Sequence, residues 1–384
     1  MRILIVPDSF KGSLSSPEAA QCIKAGIRSV FPACEIQCIP VADGGEGTIT
    51  ALVEGSGGRY EYAVVQDPLG RPVRAKFGVL LDGTAVIEMA QASGLPHLAE
   101  QERDPEHTST YGTGELIRHA LDLGCRRILV GIGGSATNDG GAGMASALGV
   151  RFLDSTGAEL PPGGAALNRL DVIDCSRLDL RLQQTEILVA SDVTNPLCGL
   201  QGASAVYGPQ KGADAAMAAR LDTALFHYGA LLQKTFGRDF ASLPGAGAAG
   251  GLGAGLMAFC HGQLRPGVDL IFDYLGLDAQ TAWADLIFTG EGRIDFTSAN
   301  GKLLSGIGRL ALQHKKPAVA FTGSIGQGAD AIYDCGIAAI VSIADGPLTL
   351  EEAFRRAPEL ITAAAAQTAR LIRIGGPLSL SPCS

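Results

Sequence analysis

The chain has 384 residues, 46% of them hydrophobic, and a formal net charge of −9. That length allows two domains with sizeable cores, and the acidic balance argues against nucleic acid as a partner. The longest apolar runs, such as AIVSI and AVAF, are strand-length and too short to span a bilayer. Nine cysteines without a Cys-x-x-Cys pair fit reduced thiols in a cytoplasmic protein, not a disulfide framework or a zinc site.

The first residues, MRILIVPDS, read as a strand ending in Asp8, without the apolar region and cleavage site of a signal peptide. Ser16 is expected to cap a helix with Pro17 in its first turn, because Ala20, Ile23, Ile27 and Phe31 recur at helical spacing. EIQCIPVAD then forms a second strand, again ending in an aspartate, Asp43. From Tyr60 the pattern changes. DPLGRP and LDGTA separate short extended runs, the mark of antiparallel hairpins. Strand–helix alternation returns at ADLIFTGEGRID, KPAVAFTGSIG and GIAAIVSIADG.

These patterns predict an α/β protein in which a parallel-sheet domain of the flavodoxin or Rossmann kind is interrupted by a second, mixed α/β domain. Residues 1–63 and 284–384 are expected to form the first, residues 64–283 the second, with the active site in the cleft between them. The run GAGAAGGLGAGL at 245–256 reads as a close-packing device, since small residues let backbones approach.

The chemistry gathers at predicted strand ends, where open α/β sheets place ligands. GIGGSATNDGGAG at 131–143 has six glycines in thirteen residues, a backbone-entropy cost that suggests close approach of a ligand. Gly133, Gly134, Ser135 and Asn138 there, with Lys211 of YGPQKGA, are candidates for phosphate binding through amides and a cation. Asp8, Ser9 and Lys11 come from PDSFKGS, and Asp43, Glu46 and Thr48 from VADGGEGT. ASDVTNPL offers Asp192, Thr194 and Asn195, and TGEGRIDFTSANGK offers Glu291, Arg293, Asp295 and Lys302. Carboxylates, cations and glycine-rich turns together suit phosphoryl transfer. There is no P-loop pattern, no protein-kinase set, and the third glycine of a dinucleotide fingerprint is replaced by Ala136.

In one fixed order the chain carries PDSFKGSLSS, VADGGEGT, GIGGSATNDGGAGMASALG, SDVTNPLCG, YGPQKGA, GAAGGLGAGL and TGEGRID. Together they resemble the bacterial two-domain glycerate kinase family, over residues 1 to about 345. The resemblance implies ATP-dependent phosphorylation of D-glycerate, mostly at the 2-hydroxyl, and a flavodoxin-like domain interrupted by a second one.

Chemistry then suggests roles within that reading. Asp192 is the expected general base, oriented by Thr194 and Asn195, with Lys11 and Asp8 also catalytic. Ser9, Lys11, Asp43 and Arg293 are expected on the substrate, and Glu291 and Asp43 on Mg2+. ATP and D-glycerate are the expected ligands, with neither nucleic acid nor membrane as partner, in a monomer or homodimer. The alternatives are a 3-phosphoglycerate-forming kinase, an NAD-dependent hydroxy-acid dehydrogenase, a non-catalytic metabolite-binding module, and a small-molecule kinase of the GHMP type. The last is disfavoured because no serine pair follows the glycines of GGLGAGL.

Overall fold

The computed structural model describes residues 1–39, 41, 52–53, 56–299 and 303–375. It divides into two compact units: Met1–Asp43 with Ile271–Ser384, and Gly44–Leu270. Both crossings lie earlier in the chain than the composition suggests, because no linker-like stretch marks either of them.

The first unit opens with β1 (Arg2–Pro7), α1 (Ser16–Arg28) and β2 (Glu35–Cys38). The cap of α1 is Ser15, not Ser16. Its hydroxyl accepts from the Glu18 amide while Glu18 accepts from the Ser15 amide, a reciprocal capping box. Ser16 is thereby free to bond elsewhere. It donates to the Pro7 carbonyl at 2.7 Å and accepts from the Val41 amide at 3.0 Å. These two bonds tie the tip of β1 to the chain beyond β2. Ala19, Ala20, Ile23 and Ile27 form the buried face of α1, and each fully buried isoleucine contributes about 1.5–3 kcal/mol.

The second unit contains β3 (Arg59–Gln66), β4 (Pro72–Val79), β5 (Ala85–Glu88), α2 (Tyr111–Asp122), β6 (Arg127–Gly131) and α3 (Ala142–Ala147). After them come β7 (Arg151–Leu153), β8 (Val172–Asp174), β9 (Glu186–Ala190), α4 (Ala215–Phe236), α5 (Ala248–Cys260) and β10 (Gln263–Arg265). Six strands form a sheet in the order β10-β9-β6-β5-β4-β3, and β7 pairs with β8 separately. The β3–β4–β5 portion is antiparallel, as the turn signals predict, and β5, β6, β9 and β10 run parallel. One large apolar cluster, with Ile128, Val130, Leu252 and Phe259 among its members, packs this sheet against its helices.

Helix α6 (Gly267–Leu275) leads back to the first unit, which is completed by β11 (Leu286–Ile294), α7 (Leu303–Gln313), β12 (Ala318–Ile325), β13 (Ala339–Ser342) and α8 (Leu350–Gly375). Its five strands form one parallel sheet in the order β13-β12-β11-β1-β2. Numbered within the unit, that is the 2-1-3-4-5 order of flavodoxin-like folds. Ile3, Ile5, Phe288 and Phe321 fill the core beneath it.

Candidate functional site

Strand order locates the first site. In the five-stranded sheet the connections run one way from β1 to β2 and the other way from β11 to β13. The reversal falls between β1 and β11, and the carboxyl ends of such a pair leave a crevice that neither crossover covers. These two strands are joined in register, Pro7 beside Gly290, and the Thr289 hydroxyl donates to the Val6 carbonyl at 2.7 Å. The Asp8 amide continues the ladder onto the Gly290 carbonyl at 2.8 Å.

A cavity of about 490 Å3 opens at that place. Five of the expected site residues line it: Asp8, Ser9, Lys11, Glu291 and Arg293. Asp8 accepts from the Ser9 amide at 2.6 Å, and the turn that follows is closed by paired backbone bonds between Phe10 and Leu14. Glu291 is half-buried and accepts from the Ser298 hydroxyl at 2.5 Å. The Arg293 guanidinium lies 3.2 Å from Asp295, while Lys11 is exposed. The opposite wall is apolar and comes from α8, through Phe354, Ala357 and Leu360. The arrangement offers two cations for an anion, one of them (Arg293) beside Asp295, three carboxylates in Asp8, Glu291 and Asp295, and an apolar side that lowers the local dielectric. Asp43, Glu46, Thr48 and Lys302 lie outside the described residues.

The second unit holds the glycine-rich turn, and its glycines fall into two groups. Gly140 has φ +65°, and a side chain there would meet the Tyr228 ring at 2.5 Å. From the other side, Gly250 (φ +70°) is pressed against the Thr137 carbonyl, and the Gly140 amide donates to its carbonyl at 3.0 Å. The run Ala249–Gly251 is left-handed and interrupts α5 to make this contact. These glycines serve packing. Gly133 and Gly134 differ. Both are exposed, a side chain at Gly133 would meet nothing within 4 Å, and Gly134 has φ +73°. Among the described residues the amides of Gly133, Gly134 and Ser135 have no hydrogen-bond acceptor. Successive unpaired amides around a left-handed residue form an anion-binding concavity.

Beneath these amides lies a buried polar layer. Asp139 accepts from the Thr110 amide at 2.8 Å and hydroxyl at 2.9 Å, and from the amides of Gly141 at 3.1 Å and Gly143 at 3.2 Å. One carboxylate thus satisfies the first turns of both α2 and α3. Burial pushes its pKa up against the pull of those bonds. Asn138 and Lys211, expected on the phosphates, are enclosed by protein instead. Asn138 donates to the Ser204 hydroxyl at 2.9 Å, and the Lys211 ammonium donates to the Thr137 carbonyl at 2.6 Å. Burial pushes the Lys211 pKa down to about 7, opposed by nearby Asp139. Ser135 is also buried, with its hydroxyl 3.0 Å from that of Thr137. All three brace the loop from below.

Asp192 belongs to this second unit and is exposed. It accepts from the Gly267 amide at 3.0 Å, at the first residue of α6. Asn195 does not orient it: the Asn195 amide donates to the Gln201 carbonyl at 2.8 Å and accepts from the Tyr207 hydroxyl at 2.7 Å.

Residues 3–373 match the family model described as the glycerate kinase family. The chain belongs to the glycerate kinase family. It is 48% identical over 381 residues to the glycerate kinase of Bacillus subtilis (strain 168), covering 99% of this chain and all of that one. To the glycerate 2-kinase of Escherichia coli (strain K12) it is 46% identical over 376 residues, 98% of this chain and 99% of the relative. A crystal structure provisionally assigned as glycerate kinase 2 from Salmonella typhimurium LT2 superposes with a TM-score of 0.92 at 47% identity, over 98% of this chain and 100% of that one. The glycerate kinase match therefore runs past residue 345 into α8, whose side chains wall the first cavity. Two features carry no sequence signal of their own: in the first unit the Ser298 bond to Glu291, and in the second unit Asp139 holding two helices at once.

Proposed function

We propose that this protein transfers the γ-phosphoryl group of Mg-ATP to the 2-hydroxyl of D-glycerate, giving 2-phosphoglycerate and ADP. The observation that carries the proposal is the placing of Asp8, Lys11, Glu291 and Arg293 around one cavity at the β1/β11 reversal. Family membership names the acceptor, and the name of the Escherichia coli relative supports the 2-position.

Lys11 and Arg293 take the glycerate carboxylate, a small anion that needs a cation partner, with Ser9 beside them. Asp8 accepts the hydroxyl proton as the glycerate oxygen bonds to the γ-phosphorus and the bond to ADP breaks. Asp8 is preferred over Asp192 because it shares the cavity with both cations, whereas Asp192 holds the amide that begins α6. The unpaired amides of Gly133, Gly134 and Ser135 take nucleotide phosphate, and Lys211 supports the loop beneath them.

Among the described residues no three His, Cys, Asp or Glu side chains gather to hold a metal ion. A magnesium ion that keeps its waters and is held mainly by substrate phosphates needs only one or two carboxylates, and Glu291 with Asp43 would hold it. When bound, the ion neutralises charge on the transferring phosphates. No helix of the described residues is long and apolar enough to cross a membrane.

The test is ADP release from Mg-ATP and D-glycerate, with the product read by phosphorus NMR. Absence of D-glycerate-dependent ADP release overturns the activity, and a 3-phosphoglycerate signal overturns the regiochemistry.

A further inference from the structure

Ser298 lies outside every set of residues expected to act, yet its hydroxyl grips Glu291 at 2.5 Å. It is 1% exposed. Its oxygen also accepts from the Asp295 amide at 3.3 Å, and its own amide donates to the Asp295 carbonyl at 3.0 Å. The Asp295 side chain closes the same turn by accepting from the Thr297 amide at 2.9 Å and hydroxyl at 2.7 Å. The Phe296 amide anchors the turn to the Gln327 carbonyl at 3.0 Å. A buried hydroxyl fixed from this many sides cannot follow a moving partner, so the partner must conform to it.

Glu291 needs such a hold. It sits near the solvent end of β11, and a glutamate there has three side-chain torsions to order. A ligand to an ion that also contacts substrate phosphates must stand within about 0.5 Å of its working position. We infer that Ser298 is a positioning residue for the reaction: it fixes one oxygen of Glu291, so that the carboxylate meets the metal–phosphate group in one orientation. This inference rests on the role given to Glu291 above.

The experiment is a kinetic double-mutant cycle over Ser298→Ala and Glu291→Gln in the full-length protein, with D-glycerate varied at saturating Mg-ATP and magnesium titrated at saturating ATP and D-glycerate. Ser298→Ala should lower kcat/KM about tenfold to hundredfold, the range for losing a hydrogen bond to a charged group. It should also weaken Mg2+ binding to the ADP complex severalfold in calorimetric titration, a readout independent of turnover, raise the magnesium concentration for half-maximal rate severalfold, and leave KM for D-glycerate within twofold. In the Glu291→Gln background the same substitution should cost less than about twofold. Should Ser298→Ala fail to fold, Ser298→Cys, close in volume and a weak donor, carries the same comparison. An equal cost in both backgrounds, or an unaffected single variant beside an impaired Glu291→Gln, overturns the positioning role alone. Parental kinetics for Glu291→Gln overturn the role of Glu291 itself.

Discussion

One stretch contains glycines of two different kinds, so paired substitutions there test the phosphate-site reading directly. At Gly133 an added side chain meets nothing within 4 Å, and the residue is exposed. Gly133→Val should therefore change stability by no more than about 0.5 kcal/mol, as at most surface positions. Its isopropyl group would occupy the space through which an anion reaches the amides of residues 133–135. Losing one charge-assisted hydrogen bond costs about 1.5–3 kcal/mol, so KM for ATP should rise at least about tenfold. At Gly140 the sign is reversed. Alanine there keeps φ at +65° with its Cβ 2.5 Å from the Tyr228 ring. Left-handed strain of about 1–2 kcal/mol and overpacking of about 1–3 kcal/mol should together lower stability by about 2–5 kcal/mol. Melting should fall by roughly 4–20 °C, with KM for ATP little changed in the protein that remains folded. ADP release across an ATP series, with melting curves for each variant, reads both. A Gly133→Val enzyme at parental KM would refute the phosphate assignment, and a Gly140→Ala protein melting at the parental temperature would refute the packing argument.

Asp8→Asn should keep the fold and lower kcat about a hundredfold or more, the scale of general-base assistance, whereas Asp192→Asn, which retains an acceptor for the Gly267 amide, should turn over normally; the opposite pattern in steady-state kinetics returns the base to Asp192. Lys11→Ala should lower kcat/KM for D-glycerate at least about tenfold through a raised KM; unchanged kinetics would make Lys11 a solvated side chain. Lys211 is held at about 7 in the folded protein against 10.5 for an ordinary lysine, so between those values the unfolded chain binds more protons and stability gained from this site rises with pH. The stability of the parent relative to Lys211→Met should accordingly climb between pH 7.5 and 9.5, by at most about 1.4 kcal/mol per pH unit, in chemical-denaturation midpoints; a flat difference would show that the lysine is not desolvated.

Elements with an internal signal were legible in the sequence. Apolar runs ending in polar turns located β1, β11, β12 and β13, and the DPLGRP turn located the β3–β4 hairpin. Five cavity residues were legible for the same reason: a strand end in a parallel sheet is both a sequence boundary and a ligand position. What the sequence concealed depends on contacts far along the chain. Gly140 needs its conformation because Tyr228 packs on it, and Gly250 because Thr137 does. The cap of α1 moved one residue because Ser16 is engaged by Pro7 and Val41. Lys211 reads as a phosphate-binding cation in YGPQKGA, and only its burial and its 2.6 Å bond to Thr137 reveal a brace inside the protein.

The five-stranded sheet also constrains the order of assembly during synthesis. Strand β1 leaves the ribosome long before its central neighbour β11, to which it is joined by pairs such as Ile3 with Leu286. Until β11 emerges, Ile3, Leu4, Ile5 and Val6, all fully buried in the finished protein, have only β2 beside them. Meanwhile the whole Gly44–Leu270 unit is available to fold, so the middle of the message becomes the first completed body. Nascent β1 must wait as an unsatisfied apolar strand, an edge open to wrong pairing and to chaperones. Translation halted before residue 286 would therefore leave a folded central unit joined to a β1 that lacks its central neighbour.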